Sequence, residues 1–159
     1  MQDLDVKDTV ADEVDMRDLV DSLGFLTRLA QVHTYELFFE DLGDDGPRPG
    51  EFSTLILLER NPGIRQGVLA QKLRIKPAHM TKLVRAFEDR GLVERIIPDH
   101  DRRSVELALT ARGRKYVAEF RPAFLEHEAR KPPTLTASEI RTLKHLLRKY
   151  VGMAAEDRS

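Results

Sequence analysis

The order of apolar and polar residues between Gly67 and Gly113 constrains this chain more than any other feature. Val68 to Leu73 places apolar side chains at helical spacing. After a short turn Pro77 restarts a helix, because its missing N–H would be unpaired in a first turn anyway. From Pro77 to Arg90, Met80, Leu83, Val84 and Phe87 follow the stripe of a helix packed on one face. The opposite face, at about 100° per residue, carries Ala78, Lys82, Arg85 and Asp89, flanked by His79 and Thr81. Gly91 ends the helix, since glycine takes the left-handed cap conformation without a steric penalty. Val93 to Ile97 and Ser104 to Leu109 are β-branched or alternating runs. The intervening Pro98-Asp99-His100-Asp101-Arg102-Arg103 is too polar to be buried. Helix, turn, outward-facing helix and hairpin in this order make a winged helix-turn-helix.

The flanking segments are helical. Val14 to about Phe39 has Leu19, Leu23, Leu26, Ala30, His33 and Leu37 in alternating steps of three and four. Asp41 to Gly50 is a Gly/Pro/Asp-rich break. Phe52, Leu55, Ile56, Leu57 and Leu58 then make a short apolar helix ending near Asn61-Pro62-Gly63. Thr110 caps a fifth helix that runs through Val117, Phe120 and Phe124 to about Ala129, with Pro122 as an expected kink. Thr136-Ala137-Ser138-Glu139 is a capping box. It opens a sixth helix striped by Ile140, Leu143, Leu146, Leu147, Tyr150 and Val151 and stopped at Gly152. The expected fold class is therefore mainly α (α+β), a winged helix-turn-helix with flanking dimerisation helices. Apolar stripes of this width on long terminal helices fit either packing within the chain or an interface with a second copy, and the expectation is a homodimer.

Four segments together resemble MarR-type transcriptional regulators. They are Leu69-Ala70-Gln71-Lys72-Leu73, Phe87-Glu88-Asp89-Arg90-Gly91-Leu92-Val93-Glu94-Arg95, Asp99-His100-Asp101-Arg102-Arg103 and Leu107-Ala108-Leu109-Thr110-Ala111-Arg112-Gly113. The combination of an Asp-x-Asp-Arg-Arg turn with a strand ending Leu-Thr-x-x-Gly is specific, although each piece alone is weak. In helix order the resemblance runs from about Met16 to Met153. It departs where the reading helix begins, with Lys76-Pro77-Ala78-His79 in place of a Ser/Thr-rich start. The resemblance implies a homodimeric repressor on a pseudo-palindromic double-stranded operator, with two reading helices about one DNA turn apart. It also implies a small, often anionic aromatic effector, held between the dimer helices and the winged region, that relieves DNA binding. The expected organisation is an acidic arm over 1–13, one domain over 14–153 and a tail over 154–159. Within that domain, 14–60 and 116–153 supply dimerisation helices and 61–115 the DNA-binding region.

Charge agrees with a nucleic-acid partner once it is read along the chain. The net charge is −1, yet residues 60 to 115 hold 14 Lys/Arg against 6 Asp/Glu, while residues 1 to 59 hold 4 against 15. Phosphate attraction acts over a Debye length of about 8 Å, so a basic face on an acidic body still binds DNA. Ala78, His79, Thr81, Lys82 and Arg85 are the candidate contacts of the reading helix. The Thr81 hydroxyl has an alternative use in bonding back to its own helix. Arg102 and Arg103 are the candidate wing contacts. One enters the minor groove, and the other pairs with Asp99 or Asp101; either arginine suits either role.

Other functions find less support. His33 reads first as a hydrogen-bonded interface histidine, and second as an effector ligand with Arg28, Phe52 and Leu55. The histidines 33, 79, 100, 127 and 145 show no i, i+4 ligand pair, leaving His127 with Glu126 or Glu128 as a faint exception, so no metal or other cofactor is expected. The absence of cysteine excludes disulfides and thiolate sites within the chain. Nothing resembles a phosphate loop, a nucleophile motif or a clustered acid–base set, so an enzyme is not expected. The rival is a winged-helix module that binds protein instead of DNA. No apolar run approaches the about 20 residues of a membrane span, and the N-terminus is acidic where a signal peptide is basic, so the expected location is the cytoplasm.

Overall fold

The computed structural model describes residues 15–43, 46–97, 105–130, 132 and 134–153. Their elements run α1 (Leu23–Leu42), α2 (Pro49–Arg60), β1 (Ile64–Arg65), α3 (Gln66–Lys72), α4 (Pro77–Asp89), β2 (Val93–Ile96), β3 (Glu106–Leu109), α5 (Ala111–Ala129) and α6 (Ala137–Tyr150). Contacts divide the chain into one unit ending at Leu37 and a second beginning at Phe38. That division falls inside α1, not in a linker.

In the first unit the helix starts later than the apolar spacing from Val14 implies. The N–H groups of Leu19 and Val20 both bond the Met16 carbonyl, at 2.8 and 3.1 Å, which folds this stretch into a turn. Ser22 then sets the helix start, its hydroxyl accepting from the Phe25 N–H at 3.4 Å. Leu23, Leu26, Leu29, Val32 and Tyr35 are all exposed, so apolar surface on α1 is not confined to the expected stripe.

The second unit holds the core. Phe52, Leu55 and Leu58 of α2, Leu69 of α3, Met80, Val84 and Phe87 of α4, Leu107 of β3 and Val117 of α5 are at most 1% exposed. Pro49 takes the first turn of α2, as Pro77 does in α4. Because α1 also runs on to Leu42, the break expected over Asp41–Gly50 narrows to residues 43–48. β1 is too short to show a periodicity in sequence. It pairs antiparallel with β3, Ile64 opposite Leu107, while β2 flanks β3 on the other side from Val93 opposite Leu109 to Ile96 opposite Glu106.

Two junctions fix the orientation of α4. At its start, α3 closes with the Ile75 N–H on the Ala70 carbonyl (2.9 Å) and the Arg74 N–H on the Gln71 carbonyl (3.1 Å). These are the paired bonds of a Schellman cap, with Arg74 in the left-handed position at φ 52° where glycine is more usual. At its end, Leu92 N–H bonds the Phe87 carbonyl (2.9 Å) and Gly91 N–H the Glu88 carbonyl (2.8 Å), with Gly91 at φ 67°. Thr110 locks this end to α5, since its hydroxyl donates to the Gly91 carbonyl at 2.7 Å and accepts from the Gly113 N–H at 3.0 Å. Gly113 makes the contact sterically feasible: a Cβ there would lie 2.0 Å from the Leu92 carbonyl oxygen. The Leu-Thr-x-x-Gly pattern is thus a clamp between the reading helix, the sheet and α5.

α6 begins with the capping box. Thr136 Oγ1 accepts from the Glu139 N–H at 3.3 Å, and Glu139 Oε2 accepts from the Thr136 N–H at 2.8 Å. The Thr136 hydroxyl, donating to Glu139 Oε2 at 2.7 Å, and then the Thr136 N–H hold the Glu139 carboxyl below the usual glutamate range. Leu143, Leu146, Leu147 and Tyr150 are 41 to 61% exposed, leaving the stripe of α6 in solvent.

Candidate nucleic-acid interface

The sequence of α4 decides what it can present. Met80, Val84 and Phe87 go into the core, so the far face is turned outward. Ala78, His79, Thr81, Lys82 and Arg85 are all exposed. Lys82 and Arg85 form no ion pair among the described residues, in contrast to the cations at the far end of the helix. Arg90 Nη1 lies 3.1 Å from Glu51 Oε2, with its guanidinium carbon 5.1 Å from the centre of the Tyr116 ring. Arg95 Nε lies 3.2 Å from Glu88 Oε2. The cationic helix is therefore divided into a fastened end and an open face.

Thr81 uses its hydroxyl as the alternative reading allowed. It donates to the Pro77 carbonyl at 3.0 Å. It also accepts from Gln66 Nε2 at 3.2 Å. Gln66 was not among the sequence candidates. It lies outside both the apolar stripe and the cationic face, and its neighbour in space is 15 residues away in sequence. The expected contacts Arg102 and Arg103 lie outside the described residues, as do Asp99, His100 and Asp101. β2 and β3 are in register up to the pair Ile96–Glu106.

The four effector candidates are placed differently from one another. Arg28 and His33 are exposed on the α1 segment of the first unit, where His33 Nδ1 is 3.7 Å from Glu36 Oε2. Phe52 and Leu55 are 0% exposed core residues of the second unit, because α2 turns its apolar side inward. His127 meets Asp41 instead of acting with Glu126 or Glu128. Its Nδ1 is 2.7 Å from Asp41 Oδ2, and Arg130 Nη1 is 2.6 Å from Asp41 Oδ1. The hydrogen bond from His127, reinforced by Arg130, holds the Asp41 carboxyl below the usual aspartate range. These groups line a polar cleft of about 550 Å³ with Glu126, Ala123 and Ala129. Among the described residues no group of three or more His, Cys, Asp or Glu is arranged to hold a metal, and no helix is long and apolar enough to cross a membrane.

Comparison with known proteins matches the same region. The model of the MarR family aligns with residues 48–105, spanning α2 to the edge of β3. An HTH-type transcriptional repressor of Mycobacterium tuberculosis is 33% identical over 99 residues, 62% of this chain and 71% of the relative. The HTH-type transcriptional repressor MdtR of Bacillus subtilis is 25% identical over 118 residues, 74% of this chain and 76% of its own length. Among solved structures, the transcriptional repressor CouR bound to a 23-mer DNA duplex superposes with a TM-score of 0.79 at 31% identity, covering 87% of this chain and 99% of CouR. Fold, motif and relatives agree on one assignment: the chain belongs to the MarR family, a transcriptional regulator and not an enzyme.

Proposed function

We propose that the protein is a homodimeric repressor that reads a pseudo-palindromic DNA duplex. The observation that carries this reading is the open face of α4, where Lys82 and Arg85 stand exposed, with no ion pair among the described residues, opposite the buried Met80, Val84 and Phe87. In the major groove that face would bring Ala78, His79, Lys82 and Arg85 to base edges and phosphates, while the Thr81 hydroxyl stays engaged with Pro77 and Gln66. Arg102 and Arg103 would extend the contact to the minor groove. The likeness to CouR, whose structure holds a DNA duplex, supports the same use of the fold.

Dimerisation is supported by the exposed stripe Leu143, Leu146, Leu147 and Tyr150 on α6. A soluble chain gains by covering an apolar strip of that kind, and a second copy supplies a matching strip. Relief by a small anionic aromatic ligand belongs to the same reading, with exposed Arg28 and His33 as the groups that would meet its charge.

The test is selection of duplexes from a random pool by the full chain. A repressor of this kind enriches a sequence with twofold symmetry and half-sites about one helical turn apart. A panel of benzoate-type acids is then added to the complex, and release by one of them supports the effector. No enrichment of any duplex would overturn the DNA reading in favour of a winged-helix protein-binding module.

A further inference from the structure

Gln66 joins the root of the wing to the reading helix. It follows β1 directly as the first residue of α3. Its backbone N–H bonds the Val105 carbonyl at 2.9 Å, one step beyond the paired residues Arg65 and Glu106. The main chain of Gln66 is thereby fixed to the strand that leads to the wing. Its side chain reaches the other way, with Nε2 donating to Thr81 Oγ1 at 3.2 Å. The Thr81 hydroxyl proton is already given to the Pro77 carbonyl, so the oxygen is oriented to accept from outside the helix.

This tether sits where α4 is otherwise least fastened. The C-terminal end of α4 is held by Arg90 on Glu51, Arg95 on Glu88 and Thr110 on the Gly91 carbonyl. At the N-terminal end, Lys76 provides no side-chain cap. Thr81 is adjacent to Lys82, so a rotation of this end about the buried stripe would move the open cationic face first. Base readout fails on small displacements that a phosphate contact tolerates.

We propose that Gln66 is a positioning residue for sequence readout, acting through Thr81 to hold the first turns of α4 in fixed relation to the wing. The inference rests on α4 being the DNA-reading helix. Loss of the tether should lower affinity for the correct sequence and leave non-specific affinity alone.

The experiment measures affinity of the full chain for the duplex selected by wild type and for a scrambled duplex at one salt concentration. The variants are Gln66→Leu, Thr81→Val, both together, and Thr81→Ser, which keeps the hydroxyl. Gln66→Leu should lose roughly 3- to 10-fold on the selected duplex, the range of one exposed hydrogen bond, with scrambled-duplex affinity unchanged and the thermal midpoint lowered by no more than about 4 °C. Thr81→Val should match it, the double variant should be no worse than either single, and Thr81→Ser should behave as wild type. Equal losses on both duplexes, additive losses, or full discrimination by Gln66→Leu would overturn the proposal. Lys82→Ala serves as the control for the underlying reading. If wild type itself fails to discriminate the duplexes and Lys82→Ala binds as tightly as wild type, the DNA reading falls and takes this inference with it. Discrimination by wild type that survives in Gln66→Leu removes the inference alone.

Discussion

Gly113→Ala is the substitution whose effect follows most directly from the structure. The added Cβ would meet the Leu92 carbonyl oxygen at 2.0 Å, the Leu92 carbonyl carbon at 2.9 Å and Leu109 Cδ2 at 3.3 Å. Carbon–oxygen contacts ordinarily begin near about 3.3 Å, so the start of α5 must retreat from Leu92 by roughly 1 Å or more. Two of the three contacts are with backbone, which no rotamer change relieves. Retreat stretches three hydrogen bonds: Thr110 N–H to the Leu92 carbonyl (3.1 Å), Thr110 Oγ1 to the Gly91 carbonyl (2.7 Å) and Gly113 N–H to Thr110 Oγ1 (3.0 Å). Overpacking costs about 1–3 kcal/mol, and weakening the cap and its companion bonds adds about 1–2 kcal/mol. A loss of about 2–5 kcal/mol is a large part of the roughly 5–15 kcal/mol typical of a folded protein. Urea unfolding followed by circular dichroism at fixed protein concentration measures it. With a slope of about 2 kcal/mol per molar, the midpoint should fall by about 1 to 2.5 M. Arg112→Ala, at an exposed neighbouring position, is the control that should barely move. A Gly113→Ala midpoint equal to wild type would refute the clamp.

Three further outcomes are expected. Lys82→Ala should weaken the selected duplex by about 1–3 kcal/mol where it reads a base, and by a similar fraction on every duplex where it touches only phosphate. Leu147→Asp should place a charge in the apolar contact between copies, turning a dimer into a monomer by sedimentation and reducing operator affinity through lost linkage of the half-sites; a wild type that sediments as a monomer at micromolar concentration contradicts this. Asp41 titrates lower in the folded chain than its ordinary 3.8 because His127 and Arg130 stabilise its charge. Its contribution to stability is present above that value and is lost as pH falls through the lower folded one. Thermal midpoints measured from pH 6 to pH 3 should therefore show a shallower acid limb in Asp41→Asn than in wild type, and identical limbs would count against the pairing.

The winged region was legible because its signals are local and redundant. Pro77 and Gly91 bracket α4 in sequence, and the Met80–Phe87 stripe alone fixes which face is buried. Thr110 and the Thr136 capping box announce the starts of α5 and α6 through side-chain chemistry within three residues. What the chain hides is non-local. β1 is two residues whose strand character exists only through β3. Gln66 and Thr81 meet across the helix-turn-helix with no periodicity to announce it. Phe52 and Leu55 stand on an apolar helix whose spacing alone does not tell a cleft from a core; their packing into the core cluster comes from residues distant in sequence. α1 misled at its start because the spacing of Leu19 continues that of Leu23, while the Ser22 cap outweighs it.

The central claim is that an open cationic face reads duplex DNA from two linked copies of the chain. Its most direct test is the salt dependence of binding to the selected duplex, measured with the stoichiometry of the complex. Two chains per duplex are expected, with log K falling linearly in log salt at about −0.9 for each of roughly 6 to 10 phosphates neutralised. Affinity that does not change between low and physiological salt, or a complex of one chain per duplex, would contradict the account.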